Sequence, residues 1–286
     1  MSFFTLANRK DAIPTLAPGE ELLPGYQVVS LMRRGNRLDT YDVLSLERDC
    51  RCVVKVLRPD REHDEACRDA VVREGELLRD LTHPHLVRGY EVAVEPRTAM
   101  VLETLSGATL AALIEQGPLA PHDAALLGRQ LISVLGYLHG NGWLHLDVKP
   151  SNIVVQAGRA ILIDLSLVSR PGDGRPHAGT DGYLAPEQVT GNGLTPAADV
   201  FGLGVTLGEA LTGELAHGEE SRWRSGTAAR RTTRPFRRRL TGQPTPLVEL
   251  VDACVDPHPS RRPSLLEVRH VLTGLIDANL DPGTTP

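Results

Sequence analysis

The sequence predicts an α+β fold in which a small, sheet-rich part precedes a larger, mainly helical part. Three observations carry this. Short strand-like runs separated by turn residues crowd residues 26–102. Apolar residues at helical spacing dominate from residue 107 to about 276. The chain has 286 residues, 41% of them hydrophobic, which suits one large domain or two lobes with ample core.

Composition excludes several classes. A net charge of −5 argues against a whole-protein role on nucleic acid or a membrane surface. No apolar run approaches the roughly 20 residues of a membrane helix. Met1–Lys10 lacks the apolar stretch of a signal peptide. Cys50, Cys52, Cys67 and Cys254 form no C-x-x-C pair and read as reduced thiols. The chain is therefore expected to be cytoplasmic, with neither membrane nor nucleic acid as a partner. Lysine occurs only at Lys10, Lys55 and Lys149, in a chain otherwise using arginine. A lysine among arginines marks a need for a compact charge on a flexible stem.

The elements follow in order. Residues 1–24, broken by Pro14, Pro18, Gly19 and Pro24, read as an extension. Tyr26–Leu31 and Thr40–Leu44 read as a hairpin whose turn carries Gly35. Arg51–Leu57 is a strand bearing Lys55, which taken alone is a lysine reaching for water. Asp64–Leu81 is a helix with Val72, Leu77, Leu78 and Leu81 on its apolar face. Gly75 costs that helix about 1 kcal/mol relative to alanine and is expected to loosen it. Leu86–Val94 and Thr98–Leu102 are two further strands. Thr109 caps a short helix, Pro121 opens a long one striped by Leu127, Leu131, Val134, Leu135 and Leu138, and Gly140 stops it. Asp199–Leu211 is apolar all round and so reads as buried. Arg222–Arg239 holds eight arginines beside Trp223 and Phe236 and reads as a solvated loop. Leu247–Val255 and Leu265–Ile276 are the last helices, and residues 278–286 a tail.

The chemistry concentrates in His145-Leu146-Asp147-Val148-Lys149-Pro150-Ser151-Asn152, followed by two strand readings and then Asp164. Phosphoryl transfer needs a base near the attacking hydroxyl, a cation near the moving group and oxygen ligands for Mg2+. Asp147, Lys149, and the pair Asn152 and Asp164 would supply these in turn. The stretch resembles the catalytic loop and metal-binding Asp of eukaryotic-type serine/threonine protein kinases, as known in bacteria. Gly179-Thr180-Asp181-Gly182-Tyr183-Leu184-Ala185-Pro186-Glu187 is similar to the same family's segment before its platform helix. His258-Pro259-Ser260-Arg261-Arg262-Pro263 resembles the partner motif that pairs with Glu187.

The resemblance spans about residues 26–276 and implies a bilobal kinase-like fold. The kinase domain would occupy 25–277, with an N-lobe at about 25–102, a hinge at 103–106 and a C-lobe at 107–277. It implies ATP as phosphoryl donor and a protein Ser or Thr as acceptor. Asp147 would be the base, Lys149 the charge partner of the γ-phosphoryl group, and Thr180 a shaper of the substrate site. Gly35 would sit in a lid over the phosphates that has Arg33 and Leu38 at its outer glycine positions. Lys55, oriented by Glu74 nine residues before His83, would bind the α- and β-phosphates. Backbone groups at Glu103 and Leu105 would meet adenine. Gly89 stands where the family has a bulkier apolar residue and is expected to leave a void. Asp199 would hold the catalytic loop's backbone. Leu146 replaces the arginine that in many kinases grips an activation-loop phosphate, and residues 167–178 contain one hydroxyl, Ser169. Control by loop phosphorylation is therefore not expected. Three other readings use the same residues: a pseudokinase binding nucleotide or a partner without turnover, a small-molecule phosphotransferase, and, from the arginine run, a nucleic-acid module.

Overall fold

The computed structural model describes residues 14–172, 174–214, 236–237 and 239–280. These fall into two compact units. One contains the described residues up to Thr82 together with Val87–Leu105, the other His83–Leu86 and the described residues from Ser106 on.

The first unit is built on a six-stranded antiparallel sheet. Its strands are β1 (Glu21–Leu23), β2 (Tyr26–Arg34), β3 (Leu38–Ser45), β4 (Cys50–Leu57), β5 (Gly89–Ala93) and β6 (Ala99–Glu103), in the order β1-β2-β3-β4-β6-β5. Side chains alternate across each strand, so Cys52, Val54 and Val56 of β4 bury themselves with Val28, Val43, Ala99 and Val101. The intervening Lys55 points to the opposite face. The expected extension at residues 1–24 needs correction: Glu21–Leu23 pairs with β2, and Leu22 and Leu23 are core residues. Their burial, hidden among prolines and glycines in the sequence, ties this segment down. Residues 1–13 lie outside the described residues.

Helix α1 (Glu65–Asp80) starts where the Asp64 carboxylate accepts the Cys67 N–H. It buries Cys67, Val71, Glu74, Gly75 and Leu78, a stripe of helical period shifted from the expected Val72 and Leu77. Two glycines explain its seat. A Cβ on Gly75 would lie 2.7 Å from Val92 Cγ2 and 3.0 Å from Met100 Cβ. A Cβ on Gly89 would lie 2.7 Å from both Arg79 N and Leu78 C. The helix backbone fills the space where a void behind Gly89 was expected. Gly75 gives up helix propensity in return for close contact with the sheet rather than simply loosening the helix. Gly89→Ala should push α1 outward and lower stability by about 1–3 kcal/mol, as overpacking does. Urea denaturation checks this, and a loss under about 0.5 kcal/mol, the range of ordinary surface changes, would contradict it.

The second unit holds a small sheet of β7 (Ala108–Thr109), β8 (Ile153–Gln156) and β9 (Arg159–Leu162). His83–Leu86 joins it through the Leu86–Leu162 bridge, the Leu162 N–H to His85 O bond of 2.9 Å and His85 Nδ1 donating to Ala160 O. Its helices are α2 (Leu110–Ile114), α3 (Pro121–Gly140), α4 (Pro186–Thr190), α5 (Pro196–Thr212), α6 (Thr245–Cys254) and α7 (Leu265–Leu280). In α3, Leu131, Ile132, Val134, Leu135 and Leu138 are fully buried. Helix α5 is buried on nearly every side, as its all-round apolar sequence requires, and ends at Gly213 with φ of 73°. Helix α7 runs to Leu280, past the expected stop at Ile276 and into the expected tail. Residues 281–286 lie outside the described residues, as does most of the arginine run: residues 222–235 and 238. Phe236, at the run's end, is fully buried and its N–H donates to Asp252 Oδ1. Among the described residues no helix is long and apolar enough to cross a membrane. All four cysteines are unpaired, Cys50 exposed and the others buried.

Candidate active site

Within the first unit, Lys55 Nζ donates to Glu74 Oε1 at 2.9 Å. Glu74 is 4% exposed, so the pair is mostly shielded from water and its attraction is strong. Strand alternation puts Lys55 on the α1 side, and the close seat of α1 on Gly75 and Gly89 carries Glu74 to it. Gly35 occupies the β2–β3 turn, where its N–H donates to Leu38 O at 2.8 Å. A Cβ there would stand 2.6 Å from that oxygen, so the turn requires glycine. The buried Arg58 guanidinium donates to Gly35 O at 3.2 Å, and Arg58 N–H to Arg37 O. This hairpin is thus tied to the end of β4 by an arginine. Arg34 faces Asp39 across the hairpin at 3.4 Å, while Arg33 and Arg37 are exposed. Glu103 closes β6, donating its N–H to Arg88 O and accepting Arg88 N–H on Oε1. Leu105 is the last residue of this unit and is half-buried.

Within the second unit, four of the predicted side chains meet. The Asp147 carboxylate accepts from Thr180 Oγ1 at 2.7 Å, from Lys149 Nζ at 2.6 Å and from Asn152 Nδ2 at 2.9 Å. Lys149 also reaches Thr180 Oγ1 at 2.5 Å. Asp147 is 7% exposed, and donors on three sides aim it. Asn152 Nδ2 donates as well to Asp147 O at 3.0 Å, which turns the amide's carbonyl oxygen to the far side. Ile163 N–H donates to Asn152 O, setting the residue before Asp164 against Asn152. The amide oxygen of Asn152 and the carboxylate of Asp164 are hard oxygen donors of the kind Mg2+ takes. Asp164 Oδ1 accepts Ser166 N–H at 2.9 Å, and Leu165 is buried as the apolar anchor beside it.

The loop carrying Asp147 is held from beneath by Asp199 of α5. Its two oxygens accept His145 N–H at 2.8 Å and Leu146 N–H at 2.7 Å, and His139 Nε2 lies 2.7 Å away. Burial pushes the Asp199 carboxyl up, yet the His139 hydrogen bond and charge, with help from His145, bring it below the usual range. Burial, then the Glu209 hydrogen bond, drives the Tyr183 hydroxyl well above its ordinary value. Sequence reading missed two residues of this frame. His139 lies sixty positions from Asp199, and only its place in the last turn of α3, just before the loop, hints at it. Gln188, directly after Glu187, is 2% exposed and hydrogen-bonded to three segments. A polar residue inside an otherwise recognised motif was the available signal.

The described residues between Ser169 and Glu187 are pinned at several points. Ser169 pairs with Leu144 through two backbone bonds. Arg170 Nη1 donates to Asn141 O and Gly142 O, both at 3.0 Å, with its guanidinium 3.7 Å above the Trp143 ring. Gly172 N–H donates to Leu194 O, and His177 N–H to Gln188 O. Arg262 grips Glu187 with two bonds, at 2.5 and 2.9 Å.

Comparison with known proteins agrees with this geometry. Residues 26–272 match the family described as the protein kinase domain. The serine/threonine-protein kinase PknD of Mycobacterium tuberculosis is 33% identical over 211 residues, which cover 71% of this chain and 31% of that protein. PkaA of Streptomyces coelicolor is 34% identical over 222 residues, 74% of this chain and 40% of PkaA. PknK of Mycobacterium tuberculosis is 32% identical over 269 residues, 90% of this chain and 24% of PknK. The chain thus spans well under half the length of these relatives. With a family match from Tyr26 to Leu272, the chain belongs to the protein kinase domain family.

Proposed function

We propose that this chain transfers the γ-phosphoryl group of ATP to Ser or Thr hydroxyls of protein substrates. The observation that carries the reading is the Asp147 carboxylate aimed by Thr180, Lys149 and Asn152. A carboxylate so held can accept the acceptor's hydroxyl hydrogen bond and then its proton, the role that positions a nucleophile in phosphoryl transfer. The Lys149 ammonium, 2.6 Å from that carboxylate, offsets charge gathering on the transferred group. Lys55, kept in place by Glu74, binds the α- and β-phosphates. The Asn152 amide oxygen and the Asp164 carboxylate would hold Mg2+, whose charge screens the phosphate oxygens. Gly35 keeps the hairpin turn close over the phosphates, and the backbone at Glu103 and Leu105 meets adenine. Thr180 bridging Lys149 and Asp147 favours a Ser or Thr acceptor. A cytoplasmic setting suits four unpaired thiols. The catalytic segment is proposed to lie within 25–277.

A pseudokinase reading draws on one observation: with Arg33 and Leu38 at the outer positions, the lid offers a single glycine, and that glycine serves its own turn. One assay separates the readings. The purified chain is given labelled ATP, Mg2+ and a generic basic protein, before and after phosphatase treatment. Transfer to protein Ser or Thr is expected, at a rate unchanged by dephosphorylation, because Leu146 cannot grip a phosphate. Nucleotide binding without transfer would favour the pseudokinase. A rate lost on dephosphorylation and traced to Ser169 or Thr180 would overturn the inference from Leu146.

A further inference from the structure

Leu146 precedes Asp147, is buried, and has φ of 64°. A leucine in the left-handed region is strained and stays there only when its surroundings over-determine it. Both ends of the residue are held. Its N–H donates to Asp199 Oδ1, and its carbonyl oxygen accepts Gln188 Nε2 at 2.8 Å. That carbonyl belongs to the peptide leading into Asp147, whose own N–H donates to His145 Nδ1 at 3.2 Å. Turning this peptide would change the φ of Asp147 and swing its carboxylate away from Thr180 and Lys149.

The same Gln188 amide reaches further. Nε2 also donates to Ala178 O at 2.9 Å, and Oε1 accepts Ala185 N–H at 3.0 Å. Both N–H bonds of the amide and one lone pair of its oxygen are therefore used. The arrangement also settles which way the amide faces, because a flip would set Oε1 against two carbonyl oxygens. At 2% exposure no solvent substitutes for these bonds. One side chain thus connects the catalytic loop, the end of the activation segment and the turn into α4.

We infer that Gln188 is a positioning residue whose carboxamide clasps the activation segment to the peptide in front of Asp147, holding the base in register without a phosphate. The inference rests on the proposed kinase activity. The clasp uses neutral groups and backbone carbonyls, so it needs no modification to form. It fills the role left open by Leu146, which contributes only its carbonyl.

The test uses the full chain with Gln188→Met, which keeps bulk but no hydrogen bonds, and Gln188→Glu, which keeps shape but loses both donors. Turnover, KM for ATP and hydrogen exchange are measured in each. Turnover is expected to fall about tenfold or more while KM for ATP stays within about twofold, as misplacement of the base predicts. Exchange across residues 174–184 is expected to rise about tenfold with α5 unchanged, the mark of local opening. Gln188→Glu should be at least as impaired as Gln188→Met, since a carboxylate would face two carbonyls. Unchanged turnover and exchange in both variants would overturn the inference. So would a rise in exchange shared equally by α5, which marks a general loss of fold. If the unaltered chain transfers no phosphate, the kinase reading fails by itself. Exchange then decides the clasp: a rise confined to 174–184 supports it and no rise refutes it.

Discussion

Asp147→Asn is expected to lower phosphoryl transfer by about 10²–10⁴-fold, the usual cost of losing a general base, while leaving ATP binding and fold nearly intact. The substitution is close to isosteric, and the surrounding bonds tolerate it. The new amide oxygen can take the place of Oδ2, accepting from Lys149 at 2.6 Å and from Asn152 at 2.9 Å. The amide nitrogen then faces Thr180 Oγ1, whose hydroxyl can turn to accept. What disappears is the negative charge and the ability to receive a proton. Single-turnover rates and ATP affinity, measured side by side, check both halves of the expectation. Turnover within about threefold of the parent would remove Asp147 from the chemistry, since general-base loss typically costs about a hundredfold or more. Tenfold weaker ATP binding would instead mean that the loop had rearranged.

The parts of this site that are local in the chain were legible from the sequence. Asp147, Lys149 and Asn152 lie within six residues, in a stretch that resembles a kinase catalytic loop. Lys55 stood out because it is one of three lysines in a chain otherwise using arginine and because its strand follows the hairpin. The close seat of α1 was not legible. It depends on Gly75 and Gly89, each a weak point when read alone, meeting β5, β6 and the helix backbone across the unit. Local propensity counts the cost of a glycine but cannot see the contact it permits. Glu21–Leu23 was missed for a similar reason: a three-residue edge strand has too little periodicity to show, and its burial comes from β2 and the residues behind it. His139 and Gln188 act over sixty and forty-two positions, through hydrogen bonds that leave no spacing pattern.

Arg262→Met should destabilise the chain by about 3–5 kcal/mol, the range seen when a buried ion pair loses one member. The Arg262 guanidinium is fully buried and the Glu187 side chain is 8% exposed, so the surviving carboxylate would be left nearly without water or partner. More than the pair is lost. Arg262 Nε also donates to Asp256 O and Nη1 to Ala197 O, both at 2.8 Å, and the guanidinium lies 4.9 Å from the Phe201 ring centre. Methionine keeps some of the packing on Phe201 and none of the hydrogen bonds. A loss of this size is a large share of the 5–15 kcal/mol that typically holds a domain together. Lysine should not rescue it, since one ammonium cannot reproduce a two-pronged grip and two further carbonyl contacts. Removing the charge from both partners, with Glu187→Gln beside Arg262→Met, should restore part of the loss, because much of it is the unpaired carboxylate. Urea midpoints of the two single variants and the double variant measure this cycle. A single-variant loss below about 1 kcal/mol, the level of an exposed pair, would show that the ion pair carries little of the stability. Strict additivity in the double variant would show that the two side chains do not act as a pair. Turnover should fall along with stability, because Glu187 lies in the first turn of α4 immediately before Gln188, and a shift there loosens the peptide that aims Asp147.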